Sequence, residues 1–375
     1  MADLYDHLKY MVERDASDIY LTVGLPPMFR IEGIVEPHGE TPLTSEETEA
    51  IAASIMNDRQ KKGYEEELEM NLALYYPDLG RFRVNIFRQR SFTGLVIRQI
   101  KITIQTIDEL GLPAIMKEIV MTRRGLVLVV GATGSGKSTS LAAMLDYRNS
   151  SQRGHIITIE DPIEFVHPHK LSVVTQREVG FDTHSFANAL KNMLRQAPDV
   201  ILIGEIRDAE TMEHAITFAE TGHLALATLH SNNANQAMER ILNFFPIERH
   251  LQIYMQLSLN LRSIISQRLI PTVDGKRVAA IEILLDTPRV KDLILKGEID
   301  LIKEAMALAY HEGMQTFDQH IFDLYMAGRI SYDSAIAYSD SPNDVRLHIK
   351  MAEVKKDEME RKEPAFKLKM DEKPF

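Results

Sequence analysis

Leu126-Val127-Leu128-Val129-Val130 decides the fold of this chain, because it leads directly into Gly131-Ala132-Thr133-Gly134-Ser135-Gly136-Lys137-Ser138. The apolar run predicts a buried parallel strand. The stretch that follows matches G-x-x-x-x-G-K-[ST], a loop whose backbone N–H groups cradle phosphates. A helical pattern then begins at Ser138, so strand, loop and helix stand in the order that phosphate binding needs. A chance glycine-rich turn is the alternative, and the preceding strand and the Lys-Ser ending disfavour it.

The chemistry of the loop predicts ATP and Mg²⁺ as ligands. Glycines let the backbone N–H groups point inward, and the helix N-terminus adds a favourable dipole. Lys137 would bridge the β- and γ-phosphates, while the Ser138 hydroxyl would complete the Mg²⁺ shell. The predicted nucleotide-binding residues are Gly131, Ala132, Thr133, Gly134, Ser135, Gly136, Lys137, Ser138 and Thr139.

The composition is that of an ordinary soluble protein with room for two domains. The chain has 375 residues, of which 45% are hydrophobic and 26% charged. Its N-terminus lacks the basic and apolar regions of a secretory signal, and no window approaches 18 uninterrupted apolar residues. We therefore expect a cytoplasmic protein with no direct membrane insertion.

Cysteine content and net charge exclude or disfavour several function classes. With no cysteine, the chain has no disulfide framework, thiolate zinc site or cysteine nucleophile. A net charge of -11 disfavours non-specific binding to nucleic acid or to an anionic membrane, although a local basic patch can override the total.

Residues 1–100 are predicted to form a separate domain. An opening amphipathic segment is followed by strand candidates at Asp18–Val23, Met28–Ile31 and Gly33–Val35. Thr44 and Glu47 form a capping-box pattern that predicts a helix start. Two more strands are expected between Gly80 and Ile100.

The rest of the chain divides by pattern into four further segments. Residues 101–112 are interpreted as a linker, and 113–283 as an α/β core in which strands alternate with helices. The clearest strands there are Gly125–Val130, His155–Ile159, Val200–Ile203 and His223–Leu229. Residues 284–340 have helical periodicity, and 341–375 are dense in charge, which predicts one solvated helix and a disordered tail.

Two acidic segments follow predicted strands. Glu160-Asp161-Pro162-Ile163-Glu164 stands where α/β sheets place catalytic groups, and one of its carboxylates would activate water. A solvated acidic turn is the alternative. Glu205 ends a second buried strand, a layout that holds Mg²⁺ through water. Arg207 and Asp208 are interpreted as a structural pair.

His223 and His230 flank the apolar run Leu224–Leu229. Seven strand residues span about 23 Å, so the two rings cannot share one metal ion. Either histidine can serve as a neutral sensor that couples the γ-phosphate to a neighbouring domain or subunit, or it can be a structural residue.

Several arginines concentrate in the strand-like segments of the first domain. They are Arg81, Arg83, Arg88, Arg90 and Arg98. The stripe would contact nucleic acid or nucleotide phosphates, or form a solvated face opposite Phe82, Phe87 and Phe92. If the arginines function, phosphate contact is favoured, because a guanidinium from another domain or chain stabilises transition-state charge.

Four motifs in order resemble those of the secretion-superfamily ATPases, and within them the type IV pilus retraction ATPases of the PilT/PilU kind. Residues 131–139 match the family's Walker A motif, 159–165 its Asp box, 203–208 its Walker B motif and 221–230 its His box. The resemblance covers roughly residues 1–340.

The resemblance implies a fold, an assembly and residue roles. It implies an α/β fold with an N-terminal PAS-like domain, a RecA-like P-loop ATPase domain and a helical C-terminal subdomain. The expected assembly is a homo-hexamer at the inner-membrane base of the pilus machine, where it meets the platform protein. Glu164 corresponds to the catalytic glutamate, Glu205 to the Walker B acid, and His223 and His230 to the His-box positions. Arg81, Arg83 and Arg98 fall among the arginines that reach a neighbour's nucleotide.

Two departures indicate the PilU branch of this family. The retraction ATPases carry Ala-Ile-Arg-Asn-Leu-Ile where this chain has Arg289-Val290-Lys291-Asp292-Leu293-Ile294, and the chain continues into the charged tail Lys350–Phe375. The implied role is to assist retraction alongside a PilT-type paralogue.

Three other readings stay open. One is an accessory docking subunit in which ATP is structural. Another is a pilus-assembly or type II secretion ATPase, whose four-cysteine zinc element is impossible here. A DNA translocase is disfavoured by the net charge.

Overall fold

The described residues of the computed structural model are 4–100 and 103–362. The N-terminal elements are α1 (Leu4–Glu13), β1 (Asp18–Leu21), β2 (Met28–Ile31), β3 (Ile34–Pro37), α2 (Ser45–Ile55), α3 (Asp58–Glu67), β4 (Glu69–Tyr76), β5 (Gly80–Gln89) and β6 (Phe92–Ile100). The middle elements are α4 (Ile115–Met121), β7 (Gly125–Val130), α5 (Lys137–Ser151), β8 (His155–Glu160), β9 (Val173–Glu178), α6 (Phe186–Met193), β10 (Val200–Ile203), α7 (Ala209–Glu220), β11 (Leu224–Leu229), α8 (Ala234–Asn243), α9 (His250–Asn260), β12 (Leu261–Pro271) and β13 (Arg277–Leu285). The C-terminal helices are α10 (Pro288–Lys296), α11 (Ile302–Leu308), α12 (Phe317–Met326), α13 (Tyr332–Tyr338) and α14 (Pro342–Lys362).

The chain divides into two compact units. One contains the residues through Thr106 together with Leu141–Glu205, and the other contains Ile107–Ser140 together with the residues from Ile206 onward. Among the residues that the structure describes, no helix is both long enough and apolar enough to cross a bilayer.

The first unit contains an antiparallel six-stranded sheet in the order β3-β2-β1-β6-β5-β4. Buried and half-buried residues alternate along β5, and Phe82, Val84 and Ile86 are fully buried in a core that α1 shares. Because side chains alternate across a strand, Arg81 and Arg83 lie on the opposite face. The interpretation of Phe92 as part of the buried face was wrong, since its side chain is 44% exposed.

Three parallel strands complete this unit. β8 lies between β10 and β9, with Val200 opposite Ile156 and His155 opposite Val173. In the second unit β7 lies between β11 and β12, parallel to both, and β13 is antiparallel to β12. All six residues of β7 and of β11 are buried, as their apolar runs predict. The predicted α/β class is confirmed, and the antiparallel pairing of β13 with β12 makes the sheet mixed.

Local signals at helix ends are confirmed as well. Thr44 and Glu47 form the predicted capping box of α2, with Glu47 N–H donating to Thr44 Oγ1 at 3.2 Å. Asp208 caps α7 by accepting the Thr211 N–H at 2.8 Å, a role that the sequence interpretation had not given it. The predicted helical segments appear as α10–α13 and α14, while the predicted tail beyond residue 362 lies outside the described residues.

Candidate nucleotide-binding site

The phosphate loop connects the end of β7 to the start of α5. Gly131 and Gly136 have φ angles of 155° and 89°. A Cβ atom at Gly131 would lie 2.5 Å from Ser135 Oγ and 2.6 Å from Gln267 O, and one at Gly136 would lie 2.6 Å from Gln267 Nε2. Both positions therefore require glycine for conformation, and Gly131 also requires it for space, because its Cβ would meet a backbone oxygen.

The polar groups of the loop fit a polyphosphate. Lys137 is buried, and its ammonium donates to the carbonyl oxygens of Gly131 at 2.8 Å and Ala132 at 2.9 Å. The Ser135 hydroxyl is buried and has no hydrogen-bond partner in the part of the chain that the structure describes. The Ser135 hydroxyl and the Lys137 ammonium thus lie together at the N-terminus of a 15-residue helix. This arrangement favours the binding of an anion. Ser138 and Thr139 occupy the first turn of that helix, half-buried.

β12 supports the loop from behind, which the sequence did not reveal. The buried Gln267 accepts the Ser140 hydroxyl at 2.7 Å through its side-chain oxygen. A cavity of about 470 Å³ beside the loop is lined by residues 132–135 together with Asn232, Arg268, Arg277 and Tyr338. Arg268 lies on β12, which pairs with β7, and Arg277 lies on β13, which pairs with β12, whereas Asn232 and Tyr338 lie outside these strands. These residues come from distant parts of the chain and carry no local motif.

In the first unit, the predicted acids meet at the ends of β8 and β10. Gly204 N–H donates to Ile159 O at 2.7 Å, and a Cβ atom at Gly204 would lie 3.0 Å from that oxygen. The glycine before Glu205 therefore permits a close approach of the two strand ends. Glu205 is half-buried, and Glu164 is exposed on the turn that follows β8.

Glu160 is the acid of this turn that lies deepest. Its carboxylate accepts the Thr158 hydroxyl at 2.6 Å and Gln176 Nε2 at 3.0 Å. Burial raises the pKa of Glu160, and the negative charge of Glu164 raises it further. The turn therefore has two acids in different environments: Glu160 is half-buried, and Glu164 is exposed to water.

The two histidines lie at opposite ends of β11. Leu229 is opposite Val130 and Leu224 is opposite Gly125, so His230 lies at the edge where the phosphate loop begins. His223 lies at the other edge, about 23 Å away along the strand. There its Nδ1 is 3.1 Å from Thr221 Oγ1 and 3.2 Å from Phe218 O. The geometry therefore favours His230 over His223 as the histidine of this chain's own phosphate site.

The three predicted arginines each pair with an acid of the same unit. Arg83 Nη2 lies 2.8 Å from Glu178 Oε1, and Arg81 Nη2 lies 3.3 Å from Glu178 Oε2. Arg98 Nε lies 2.8 Å from Asp18 Oδ1. Burial lowers the pKa of Arg83, and Glu178 opposes that shift. Glu178 is the residue that sequence reasoning missed, because it lies 95 residues from Arg83.

Metal binding would depend on the nucleotide. Within residues 4–100 and 103–362, no group of three or more His, Asp or Glu side chains is arranged to hold a metal ion. The predicted Mg²⁺ contacts, the Ser138 hydroxyl and Glu205 through water, need no such group, since phosphates and water supply the remaining ligands.

Comparison with known proteins identifies the family. The profile of the Type II/IV secretion system protein family matches residues 3–302. The chain belongs to this family. Among its members, the type IV pilus ATPase PilU of Pseudomonas aeruginosa is 55% identical over 345 residues, which cover 92% of this chain and 90% of PilU. The type IV pilus retraction ATPase PilT of the same organism is 44% identical over 333 residues, covering 89% and 97%.

A solved structure of this family has the same fold. The crystal structure of the pilus retraction motor PilT with bound ADP superposes with a TM-score of 0.86 at 40% identity, covering 92% of this chain and 99% of that one. The resemblance predicted from the four motifs is thereby confirmed.

Proposed function

We propose that this protein is an ATP-hydrolysing ring motor that assists type IV pilus retraction, and hence twitching motility, together with a PilT-type paralogue. The observation that carries the proposal is the phosphate loop, in which buried Lys137 and the unpartnered Ser135 hydroxyl face a glycine-lined cradle. The 55% identity to the pilus ATPase PilU supports the biological setting.

The proposed roles of the residues follow from their positions. The N–H groups of the loop and the Lys137 ammonium hold the phosphates, and the Ser138 hydroxyl and Glu205 hold Mg²⁺, which neutralises charge on the phosphates when it is bound. Glu164 orients the attacking water and takes its proton. His230 senses the γ-phosphate from the end of β11.

The assembly proposed is a homo-hexamer in the cytoplasm, at the inner-membrane base of the pilus machine, in contact with the platform protein and the paralogue. Residues 1–100 are proposed as a PAS-like domain, 101–112 as a linker, 113–283 as a RecA-like core and 284–340 as a helical subdomain. Arg81, Arg83 and Arg98 are proposed to reach a neighbouring subunit's nucleotide once they leave their own carboxylates. No nucleic acid partner is proposed.

The experiment measures ATP turnover of the purified full chain, with and without a PilT-type paralogue. Glu164→Gln should lower kcat by about 1,000-fold, because the water loses its proton acceptor. Glu239→Gln on the exposed face of α8 is the matched control and should turn over normally. In cells, Lys137→Ala should abolish the contribution to retraction.

The outcomes separate the candidate functions. Turnover by the wild type alone, lost in Glu164→Gln, establishes an autonomous ATPase. Turnover only in the presence of the paralogue would show that the two proteins form the active motor together. If Lys137→Ala supports retraction normally, the protein is an accessory docking subunit, and hydrolysis is not its contribution.

A further inference from the structure

The turn that carries Glu164 is held by one side chain of the neighbouring strand. Gln176 lies on β9, directly opposite Thr158 of β8. Its Nε2 donates to Glu160 Oε1 at 3.0 Å and to the Phe165 carbonyl at 2.9 Å. Its Oε1 accepts the His167 N–H at 2.8 Å. One amide thus contacts the segment on both sides of Glu164.

The chemistry of these three bonds explains why the residue is a glutamine. A primary amide offers two N–H donors and a carbonyl acceptor in one plane, and here the two donors and the acceptor all have partners. A carboxylate of the same shape would lose both donors. An apolar side chain would leave one backbone group of half-buried Phe165 and one of buried His167 without this partner.

Glu160 closes the same network from the other strand. Besides accepting bonds from Thr158 and Gln176, its carboxylate lies close enough to the backbone N–H of Glu164 for that N–H to favour the charged form. The residue that precedes the turn is therefore coupled to the backbone of the proposed base. Gln176 and Glu160 together fix both ends of residues 160–167 while leaving the Glu164 side chain exposed.

We propose that Gln176, acting through Glu160, is the positioning residue that holds the Glu164 carboxylate where it can take a proton from the attacking water. This inference rests on the proposed function, because it assigns Gln176 a part in that reaction. Gln176 does not touch the nucleotide; it determines where the backbone presents the base. A misplacement of a catalytic group by about 1 Å can cost roughly 100-fold in rate.

The test uses the full chain under whichever condition gives wild-type turnover. Gln176→Glu keeps the acceptor for the His167 N–H and loses both donors, and it places a second carboxylate beside Glu160. We expect kcat to fall about 100-fold while the Kd for a fluorescent ATP analogue stays within about twofold. Gln252→Glu, the same change on the exposed face of α9, is the matched control and should leave kcat unchanged.

A swap variant distinguishes positioning from folding. In the double variant Glu160→Gln with Gln176→Glu, an amide again faces a carboxylate, so the bond between the two strands re-forms in reverse. We expect at least a tenfold recovery of kcat relative to Gln176→Glu alone, with the same ATP affinity.

The inference is overturned if Gln176→Glu keeps the wild-type kcat. It is also overturned if ATP affinity, thermal stability and kcat all fall in parallel and the swap recovers none of them, since that pattern marks a purely structural residue. If Gln176→Glu does not fold, the same measurements are made on Glu160→Gln alone. A fall in kcat with an unchanged Kd for the ATP analogue supports the inference, and an unchanged kcat overturns it. A wild type without turnover under every condition would instead contradict the proposed function.

Discussion

The phosphate loop and the acidic turn are both short loops at strand ends, but they are held in different ways. The phosphate loop has contacts within itself in addition to those with β12: Lys137 Nζ donates to the carbonyl of Gly131, six positions earlier. The acidic turn depends on β9, through Gln176 and through Glu178, which also pairs with Arg83 across 95 positions. A loop whose conformation depends on residues close in the chain is recognisable from sequence. A loop whose conformation depends on contacts with distant residues is not.

The largest expected effect comes from a substitution that disrupts the phosphate loop. In Gly131→Ala the new Cβ would lie 2.5 Å from Ser135 Oγ and 2.6 Å from the backbone oxygen of Gln267, at a φ of 155°. Because a backbone oxygen cannot rotate away, the loop must open. We expect ATP turnover to fall about 1,000-fold, roughly 4 kcal/mol of transition-state stabilisation, measured as kcat/KM.

Gly275→Ala in the β12–β13 turn is the control for backbone strain. Its φ is 80°, and no atom of the described residues lies within 4 Å of the added Cβ. It should cost about 1 kcal/mol of stability and leave turnover intact. Equal losses of turnover in the two variants would show that strain alone, and not the space inside the loop, explains the glycine.

The same contrast explains how much was predictable. The strand run before Gly131, the glycine spacing and the Thr44 capping box are local patterns, and the structure confirms them. The β12–β13 hairpin was missed although Asp274-Gly275 is a local turn signal. The parallel pairing of β12 with β7, which places Gln267 behind the loop, has no local signal, because it joins segments far apart in the chain. Glu178 was missed for the same physical reason, since the pairing of acid with arginine is set by tertiary packing and not by spacing.

The second prediction concerns a substitution of Glu178, the β9 residue that lies beside the acidic turn. The Glu178 side chain is 2% exposed and pairs with both Arg81 and Arg83, and the nearby backbone N–H of Ile163 also favours its charged form. Glu178→Gln keeps the shape and removes the charge, which leaves two guanidinium groups side by side. We expect a loss of about 3 kcal/mol in the free energy of unfolding, measured by urea titration.

An exposed pair provides the comparison for Glu178. Arg88 and Glu49 lie 3.2 Å apart with side chains 35% and 51% exposed. Glu49→Gln should cost less than about 0.5 kcal/mol, because water and salt screen such pairs. Similar losses for the two variants would mean that Glu178 contributes no more than a surface charge, and that the turn is held by Gln176 alone.

The smallest expected effect is a pH dependence at the far end of the acidic turn. Burial lowers the pKa of His167 to about 4, while nearby Asp146 opposes the shift and Lys170 adds to it. Because the unfolded state has the ordinary value of about 6.5, it binds the proton more readily. The stability that neutral His167 contributes is therefore fully present above pH 6.5 and is lost as the pH falls from 6.5 towards 4, by roughly 2 kcal/mol between pH 7 and pH 5.

His167→Gln isolates this dependence from other groups, including His320, whose pKa is also lowered by burial. Urea unfolding of the variant at pH 7, 6 and 5 should show a shallower loss of stability than the wild type, whereas His184→Gln at an exposed position should keep the wild-type slope. The His167 N–H is one of the three partners of Gln176, so protonation of the ring strains the segment that presents Glu164. If His167→Gln and the wild type lose stability equally on acidification, the ring is already solvated, and the far end of the turn is looser than the hydrogen bonds of Gln176 indicate.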